Sequence, residues 1–534
     1  MLHSLEWHIA FPPLWFFPVA GPADSEHRDL VCCTDFDPTK LFMQVRAWIR
    51  GMKKRILRMF EDKGILVDPD ALDALADSAD AMKCANIILD DPLRPLVLTR
   101  SDVENYLTCQ PAPKPPEPMS SRDRPIGEEA IRDDGPLEVK IVKDITGNST
   151  CVGNLIDFAK LFNDRYTTLT KILQRRRELS GLVSIAKAKK VQRDIRFVGI
   201  VNDIRQTKNG HTLIELEDEE DKIQVILMKG SKKASESFVK DEVLGIVGSF
   251  SKDGEIVIAK EIIRPEVPIN SGMVPNGSNS ILAFVSDIHV GSTEFLPDAW
   301  NRFISWLNKD PAAKQIRYIL MPGDLVDGIG IYPGQEDELL IEDIYAQYAE
   351  LARLVAMIPA RIKIIMMPGN HDAVRLAEPQ PALPTELRSM FEARTIFVGN
   401  PCYLEIEGRT ILAYHGRSMD DFIGSIRNLS YGRPAEIMKE MLKRRHLAPI
   451  YGERTAIAPE QKDYLLIDRV PHIFVTGHVH ACAVDEYRGI KLINASAWQS
   501  QTGFQRMHNQ TPDPAKVPMI NLGTGETWVE DFSS

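Results

Sequence analysis

The feature of this sequence that most constrains its fold is a repeated pairing of an apolar run with metal-binding residue types. Five short apolar runs each lead into Asp, Asn or His side chains, and they cover residues 281–285, 318–321, 362–367, 410–413 and 473–475. Continuous apolar runs of this length, with helical patterns such as 299–307 and 341–358 between some of them, predict buried strands of an α/β region. Open α/β sheets place their sites just beyond the carboxyl ends of strands. We therefore expect the five following loops to meet at one edge.

The polar residues after these runs form one candidate site. They are Asp287, His289, Asp324, Asp327, Asn370, His371, His415, His478 and His480. Each motif alone is weak, but their order after successive apolar runs indicates a functional site. Carboxylate, imidazole and amide ligands suit Mn²⁺, with Fe²⁺, Zn²⁺, Co²⁺ and Mg²⁺ as competitors. Two such ions about 3.5–4 Å apart activate water and clamp a phosphate. The sequence therefore predicts two-metal hydrolysis of a phosphoester, with Asp324 as the carboxylate that bridges both ions.

Charge and cysteine content limit the other possibilities. The net charge of −11 argues against a protein that coats nucleic acid by bulk charge. The seven cysteines are scattered, odd in number and without a CxxC pair. This pattern argues against a disulfide framework or a cysteine-based zinc site, and it predicts a reducing, cytoplasmic location.

The N-terminal quarter divides into three segments. Residues 1–42 contain an apolar stretch that three prolines interrupt and that lacks a basic start, so we expect a disordered or misassigned N-terminus rather than a signal peptide or membrane anchor. Residues 43–109 show apolar spacings of three and four that predict a small helical domain. Residues 110–136 contain seven prolines and are predicted to be a linker.

The next two segments combine positive charge with a β pattern. Residues 137–181 are predicted to be a connecting basic segment, and residues 161–210 hold twelve Lys or Arg against four Asp or Glu. The candidate DNA-phosphate contacts are Arg175, Arg176, Arg177, Lys189, Lys190 and Arg193, with a solvated helix face as an equal alternative. Residues 182–268 contain five short alternating runs, one interposed helix at 235–241 and a hairpin signal at Asn209-Gly210. They predict an OB-fold barrel, although another small barrel fits the same pattern.

The order of the five metal-binding motifs resembles the calcineurin-like metallophosphoesterase superfamily over about 240 residues. The resemblance implies one metal on Asp287, His289 and His480, and a second on Asn370, His415 and His478. It also implies that Asp324 bridges and that His371 protonates the leaving oxygen as general acid.

Asp327 is one point of detail within this resemblance. Repair nucleases of the superfamily often have His at this position, whereas its phosphoprotein phosphatases have Asp. We expect the Asp327 carboxylate to orient His371 and to favour its protonated form. The chain departs from the phosphatases at Gly328-Ile329, where they carry Arg-Gly, and at Asp372, where they carry Glu.

The arrangement of the whole chain resembles the small subunits of archaeal family D DNA polymerases over roughly residues 43–530. Segments 323–330, 414–418 and 509–516 carry this resemblance. It implies a multidomain α/β protein with a helical N-terminal domain, an OB-fold barrel and a C-terminal calcineurin-like phosphoesterase α/β sandwich at 280–520.

The implied function is a 3′→5′ exonuclease that acts on a DNA primer 3′ end and proofreads for a separate large polymerising subunit, with no membrane involvement. A scaffold subunit with a silent site and a stand-alone phosphodiesterase or phosphatase are the alternatives. The intact ligand set argues against the first alternative, and the barrel and basic segment argue against the second.

Overall fold

The computed structural model describes residues 137–534 except 192–193, 232–235, 271 and 508–509. Nearer the N-terminus it describes positions 60, 66–67, 88, 97–98 and 103. The described positions before 137 belong to one compact unit, and residues 137–534 belong to another. The predictions for segments 1–42 and 110–136 lie outside the described residues. Within the described part of the chain, no helix is both long enough and apolar enough to cross a membrane.

Within the predicted helical domain at 43–109, the few described positions include both helix and strand. Three described positions are helical and buried, namely Phe60, Ile88 and Val103. Strands β1 (Leu66–Val67) and β2 (Val97–Leu98), however, pair in parallel, so the all-helical prediction is wrong at these positions. Pro69 and Pro95 stand beside the two strands, and a proline disfavours helix in the residue before it.

Residues 137–181 are part of the folded unit and not merely a connection. They contain β3 (Val139–Lys143), α1 (Leu155–Leu173) and a 3-10 turn (Arg177–Leu179). Asn154 and Asp157 form a capping box at the start of α1. Buried leucines of α1 pack on barrel residues and on Leu466 of the C-terminal region.

A closed five-stranded barrel follows α2 (Ile185–Val191). Its strands are β4 (Ile195–Gln206), β5 (Thr212–Glu217), β6 (Lys222–Leu227), β7 (Val243–Phe250) and β8 (Val257–Ile263). The barrel order is β4-β5-β6-β8-β7, and buried and partly buried side chains alternate along β5. The prediction of a small barrel is confirmed, while its assignment to the OB fold stays a prediction.

The helix predicted between the third and fourth barrel strands is absent from the described residues 236–241. Side chains fix this segment instead. Glu242 accepts the backbone N–H of Val239, and the guanidinium groups of Arg264 and Arg444 donate to the carbonyl of Ser237.

Two six-stranded sheets form the C-terminal region. The further strands are β9 (Ile281–Phe284), β10 (Ile316–Pro322), β11 (Lys363–Met367), β12 (Thr395–Phe397), β13 (Cys402–Ile406), β14 (Arg409–Ala413), β15 (Ile473–Thr476), β16 (Ala483–Tyr487), β17 (Ile490–Asn494), β18 (Lys516–Asn521) and β19 (Thr527–Asp531). The first sheet has the order β12-β11-β10-β9-β18-β19 and the second β16-β17-β15-β14-β13-β3. The second sheet thus takes its edge strand from before the barrel.

Helices cover the outer faces of both sheets. The helices are α3 (Pro297–Lys309), α4 (Ile344–Ala356), α5 (Thr385–Arg388), α6 (Met419–Ser425), α7 (Pro434–Arg444) and α8 (Gly503–Met507), with 3-10 turns at Ala312–Gln315 and Gln335–Glu338. One apolar layer lies between the sheets and includes Phe284 and Val475. A second packs α3 and α4 on the first sheet, and a third packs α6 and α7 on the second. The mixed α/β prediction is confirmed, with the layers in the order α/β/β/α.

Candidate metal centre

The five predicted loops meet, but they come from two sheets and not from one. Strands β9, β10 and β11 are parallel neighbours in the first sheet, and β14 and β15 are parallel neighbours in the second. Backbone hydrogen bonds join the loops of each sheet, from Asp287 N–H to the Gly323 carbonyl and from Gly477 N–H to the His415 carbonyl. The predicted single sheet edge is therefore replaced by a junction between two packed sheets.

The first predicted ligand set converges on one point. The Nε2 atoms of His289 and His480 lie 3.1 Å apart, and His480 Nε2 lies 3.4 Å from an oxygen of Asp287. All three side chains are buried. One ligand atom from each lies within 4.8 Å of the other two, a spacing at which the three could hold one metal ion.

The second predicted set adjoins the first through Asp324. The Nε2 atom of His415 lies 3.1 Å from Asn370 Oδ1 and 3.3 Å from Asp324 Oδ2. The same Asp324 oxygen lies 3.8 Å from His289 Nε2, on the side of the first set. Asp324, His415 and His478 also bring three ligand atoms together. Asp324 stands between the two sets, as a bridging carboxylate must.

The ligand loops are held in an unusual backbone conformation. Asp287, His289, Asp324, His478 and His480 have φ values of 51°, 51°, 48°, 70° and 56°. This left-handed region is uncommon for residues other than glycine and is found where a surrounding structure enforces it. Two motif glycines allow close packing of the loops. A Cβ at Gly369 would collide with Asp324, and one at Gly477 would collide with Ser286 and Asp287.

His371 lies at the mouth of this cluster. Its side chain is 15% exposed, and its Nε2 atom lies 4.0 Å from Asp324 Oδ2. Its other ring nitrogen, Nδ1, lies 2.7 Å from the backbone carbonyl of Asp327. That contact turns Nε2 toward the site.

The predicted role of Asp327 toward His371 is wrong in its detail. The Asp327 carboxylate contacts Nδ1 of His289 at 2.9 Å, and only the Asp327 backbone carbonyl contacts His371. A carboxylate at this position therefore orients a predicted metal ligand, with Gln335 and Gln499 donating to its two oxygens.

Several residues that support the site were not among the predicted site residues. The Gln505 amide lies 2.9 Å from Nδ1 of His480. Asp372 accepts backbone N–H groups of Leu325 and Gly369 and so ties the loops after β10 and β11 together. Asp420 lies 3.5 Å from Nε2 of His478. Only Asp372 stands next to a recognisable motif.

The electrostatics of the cluster fit a bound cation. Burial raises the pKa of Asp324, but the nearby His415, His371 and His289 lower it by more, so that the net pKa lies well below its usual value. Burial lowers the pKa of His415, yet Asp324 and Asp287 raise it overall to about 10. The His415 proton thus balances buried negative charge that a divalent cation would balance instead. Burial lowers the pKa of His289 and of His478, which favours the neutral imidazole that a metal ligand requires.

Comparison with known proteins places the chain in a family. Residues 282–483 match the family model that describes the B subunit of DNA polymerases alpha and epsilon. The DNA polymerase II small subunit of Methanothermobacter thermautotrophicus is 40% identical over 88% of this chain and 98% of that protein. The chain belongs to the DNA polymerase II small-subunit family.

Two further members of this polymerase small-subunit family have similar identities. The protein of Archaeoglobus fulgidus is 39% identical over 88% of this chain and 96% of its own length. The protein of Methanocaldococcus jannaschii is 43% identical over 79% of this chain and 72% of its own.

Solved structures give a more distant comparison. An archaeal phosphodiesterase is 13% identical, has a TM-score of 0.24, and aligns with 47% of this chain and 98% of its own. Vacuolar protein sorting 29 from Cryptosporidium parvum is 15% identical with a TM-score of 0.24, over 47% of this chain and 96% of its own. At these scores neither likeness carries an argument.

The predicted DNA contacts lie apart from the metal ligands in the sequence and on other elements. Arg175 and Arg177 are exposed near the end of α1, and Arg176 donates to the Glu266 carbonyl. Lys189 and Lys190 are exposed on α2, and Lys189 pairs with Asp221 at 2.7 Å. Arg193 lies outside the described residues. No contact in the described part of the chain joins these side chains to the metal cluster, so their role in this polymerase small subunit stays a prediction.

Proposed function

We propose that the chain is the 3′→5′ exonuclease subunit of a heterodimeric replicative DNA polymerase and proofreads for a separate large polymerising subunit. The observation that carries the proposal is the convergence of the complete predicted ligand set and His371 in a chain of the polymerase small-subunit family. The relatives' name, small subunit, supports a larger partner subunit.

The donor atoms suit two divalent ions, with Mn²⁺ favoured by the mixture of carboxylate, imidazole and amide ligands. Asp287, His289 and His480 would hold one ion, and Asn370, His415 and His478 the other, with Asp324 shared. The chemistry that such a pair supplies is activation of water and neutralisation of charge on the phosphate oxygens.

The chain's own residues perform the proton transfer and the orientation. We assign His371 Nε2 the proton that the leaving O3′ takes up when the P–O3′ bond breaks and water adds to phosphorus. The Asp327 carbonyl holds the opposite nitrogen of that ring at 2.7 Å. The Asp327 carboxylate and Gln505 hold the Nδ1 atoms of His289 and His480, which leaves their Nε2 atoms to bind an ion.

The test uses purified full-length chain, Mn²⁺ and a 5′-labelled primer with a matched or mismatched 3′ end. We expect stepwise shortening from the 3′ end, loss of shortening in His371→Ala, and faster shortening of the mismatched primer when the large subunit is present. Complex formation with the large subunit but no shortening would favour the scaffold alternative. Hydrolysis of small phosphodiesters without DNA cleavage would favour a stand-alone phosphodiesterase.

A further inference from the structure

Two arginines beside the second ligand set have no role in the proposed hydrolysis. Arg417 follows the ligand His415 by two residues, and its side chain is 34% exposed. Arg454 is exposed on a loop, where its backbone N–H donates to the carboxylate of the α6 residue Asp421 at 2.8 Å. We propose that Arg417 and Arg454 form a phosphate subsite that binds the backbone phosphate next to the scissile one, an inference that rests on the proposed nuclease function.

A chain of contacts connects this subsite to the metal ligands. Asp420 Oδ2 lies 3.5 Å from Nε2 of His478 and 4.0 Å from the Arg417 guanidinium. The Arg454 guanidinium donates to the hydroxyl of Tyr431 at 3.5 Å. Burial and the Asp420 carboxylate raise the pKa of Tyr431 to about 12, so its hydroxyl stays protonated and remains a donor. Arg417 therefore lies beside Asp420, and Arg454 is linked to the same carboxylate through the Tyr431 hydroxyl.

The backbone around Arg417 is fixed. Gly416 has a φ of 117°, and a Cβ there would lie 3.3 Å from the Gly477 carbonyl and from His478 Cβ. Ser418 N–H donates to the Tyr414 hydroxyl at 3.0 Å. The Arg417 guanidinium is thus carried on a rigid position against the ligand loop, while its one ion pair among the described residues is a long one at 4.0 Å.

The negative charge of a DNA strand explains why two arginines would be useful at this position. A DNA strand that enters with its scissile phosphate on the ions brings further phosphates alongside, and the carboxylates Asp287, Asp324 and Asp420 would repel them. Guanidinium groups bind phosphate oxygens through paired N–H donors. In a chain with a net charge of −11, two arginines at the mouth of the site supply the local positive charge that the strand needs.

Binding is tested with fluorescein-labelled oligothymidylate, Mn²⁺ and the full-length chain in a His371→Ala background. Arg417→Ala and Arg454→Ala should each weaken binding about tenfold. Each should also reduce the slope of the logarithm of the binding constant against the logarithm of the salt concentration by about 0.7–1 for each phosphate interaction removed. A neutral methylphosphonate at the linkage next to the terminal one should weaken binding to the parent but not weaken Arg417→Ala further. Arg427→Ala, an exposed arginine of the same segment, is the matched control and should bind like the parent.

Rates of hydrolysis on two substrates distinguish a direct contact between Arg417 and phosphate from a structural role of Arg417 near His478. In the wild-type background, Arg417→Ala should raise KM for the oligonucleotide about tenfold, with Arg417→Lys intermediate. Hydrolysis of bis(p-nitrophenyl) phosphate, which has no second phosphate, should fall far less. Equal loss on both substrates, or an unchanged salt dependence, would overturn the subsite. If the wild type cleaves no DNA, the proposed function fails, while the binding result still decides on Arg417 and Arg454.

Discussion

Replacement of Asp327 by Asn tests which group this carboxylate serves. The sequence assigns it to His371, the predicted general acid, whereas the structure places it 2.9 Å from Nδ1 of His289, a predicted metal ligand. Both side chains are buried. We therefore expect Asp327→Asn to weaken metal binding at the first ligand set while leaving the second set filled.

The size of the effect follows from the partners of Asp327. Gln335 Nε2 lies 3.0 Å from Oδ2, and Gln499 Nε2 lies 3.2 Å from Oδ1. Whichever way an asparagine amide turns, its NH2 group faces one of these two glutamine donors. One of the two hydrogen bonds that hold the side chain against His289 is therefore lost. Loss of such an outer partner typically costs 10- to 100-fold in metal affinity, which corresponds to about 1.4–2.7 kcal/mol.

Calorimetric titration of the metal-free chain with Mn²⁺ measures the two sites separately. Asp157→Asn, which changes a buried carboxylate at the start of α1, is the control for nonspecific loss of stability. Unchanged Mn²⁺ affinity together with a shifted alkaline limb of the pH–rate profile would show that Asp327 acts on His371 and that the geometric argument is wrong.

Three further predictions concern other parts of the site and its support. His371→Ala should lower the nuclease rate by about 10²–10⁴-fold while calorimetry still finds two Mn²⁺ ions per chain; a near-normal rate would remove it as the acid. Asp324→Ala should lose both ions, because one carboxylate faces both ligand sets; retention of two ions by elemental analysis would refute the shared role. Burial lowers the pKa of His446 to about 4, so the folded chain excludes a proton that the unfolded chain takes up below pH 6.5. Unfolding free energy from urea titration should therefore fall by about 2 kcal/mol from pH 7 to pH 5, and His446→Gln should remove that part of the decrease.

The candidate ligand residues could be singled out from the sequence because each one follows closely after an apolar strand, and the structure brings them together. Strand positions in the barrel were predictable for a similar reason, since alternation along 212–217 and the Asn209-Gly210 turn are local signals. The division of strands between two sheets was not predictable, because buried parallel strands of either sheet read as the same apolar run. The edge strand β3 also lies beyond the reach of local pattern, since its partner β13 is distant in sequence.

The partners of the ligands illustrate the same limit. Gln505 contacts Nδ1 of His480, and Asp420 lies 3.5 Å from Nε2 of His478, only because the chain folds back onto the site. Asp327 was noticed for its spacing, but spacing does not reveal whether a side chain or a carbonyl faces a neighbour. The carboxylate and the carbonyl of one residue thus serve two different histidines.

Backbone strain bears on the choice between a nuclease and a silent scaffold. Five of the candidate site residues, among them Asp324 and His480, hold left-handed φ values. Strained backbone positions of this kind cost of order 1–3 kcal/mol each and persist where the surrounding structure enforces them. A subunit that served only as a scaffold would be more stable if the loops that carry these residues adopted an unstrained backbone conformation. These loops instead bring carboxylate and imidazole groups together, where bound cations would offset both the strain and the buried negative charge. Added Mn²⁺ should therefore raise the melting temperature of the chain, and Asp324→Ala should abolish that rise; stability that is indifferent to Mn²⁺ would favour the scaffold.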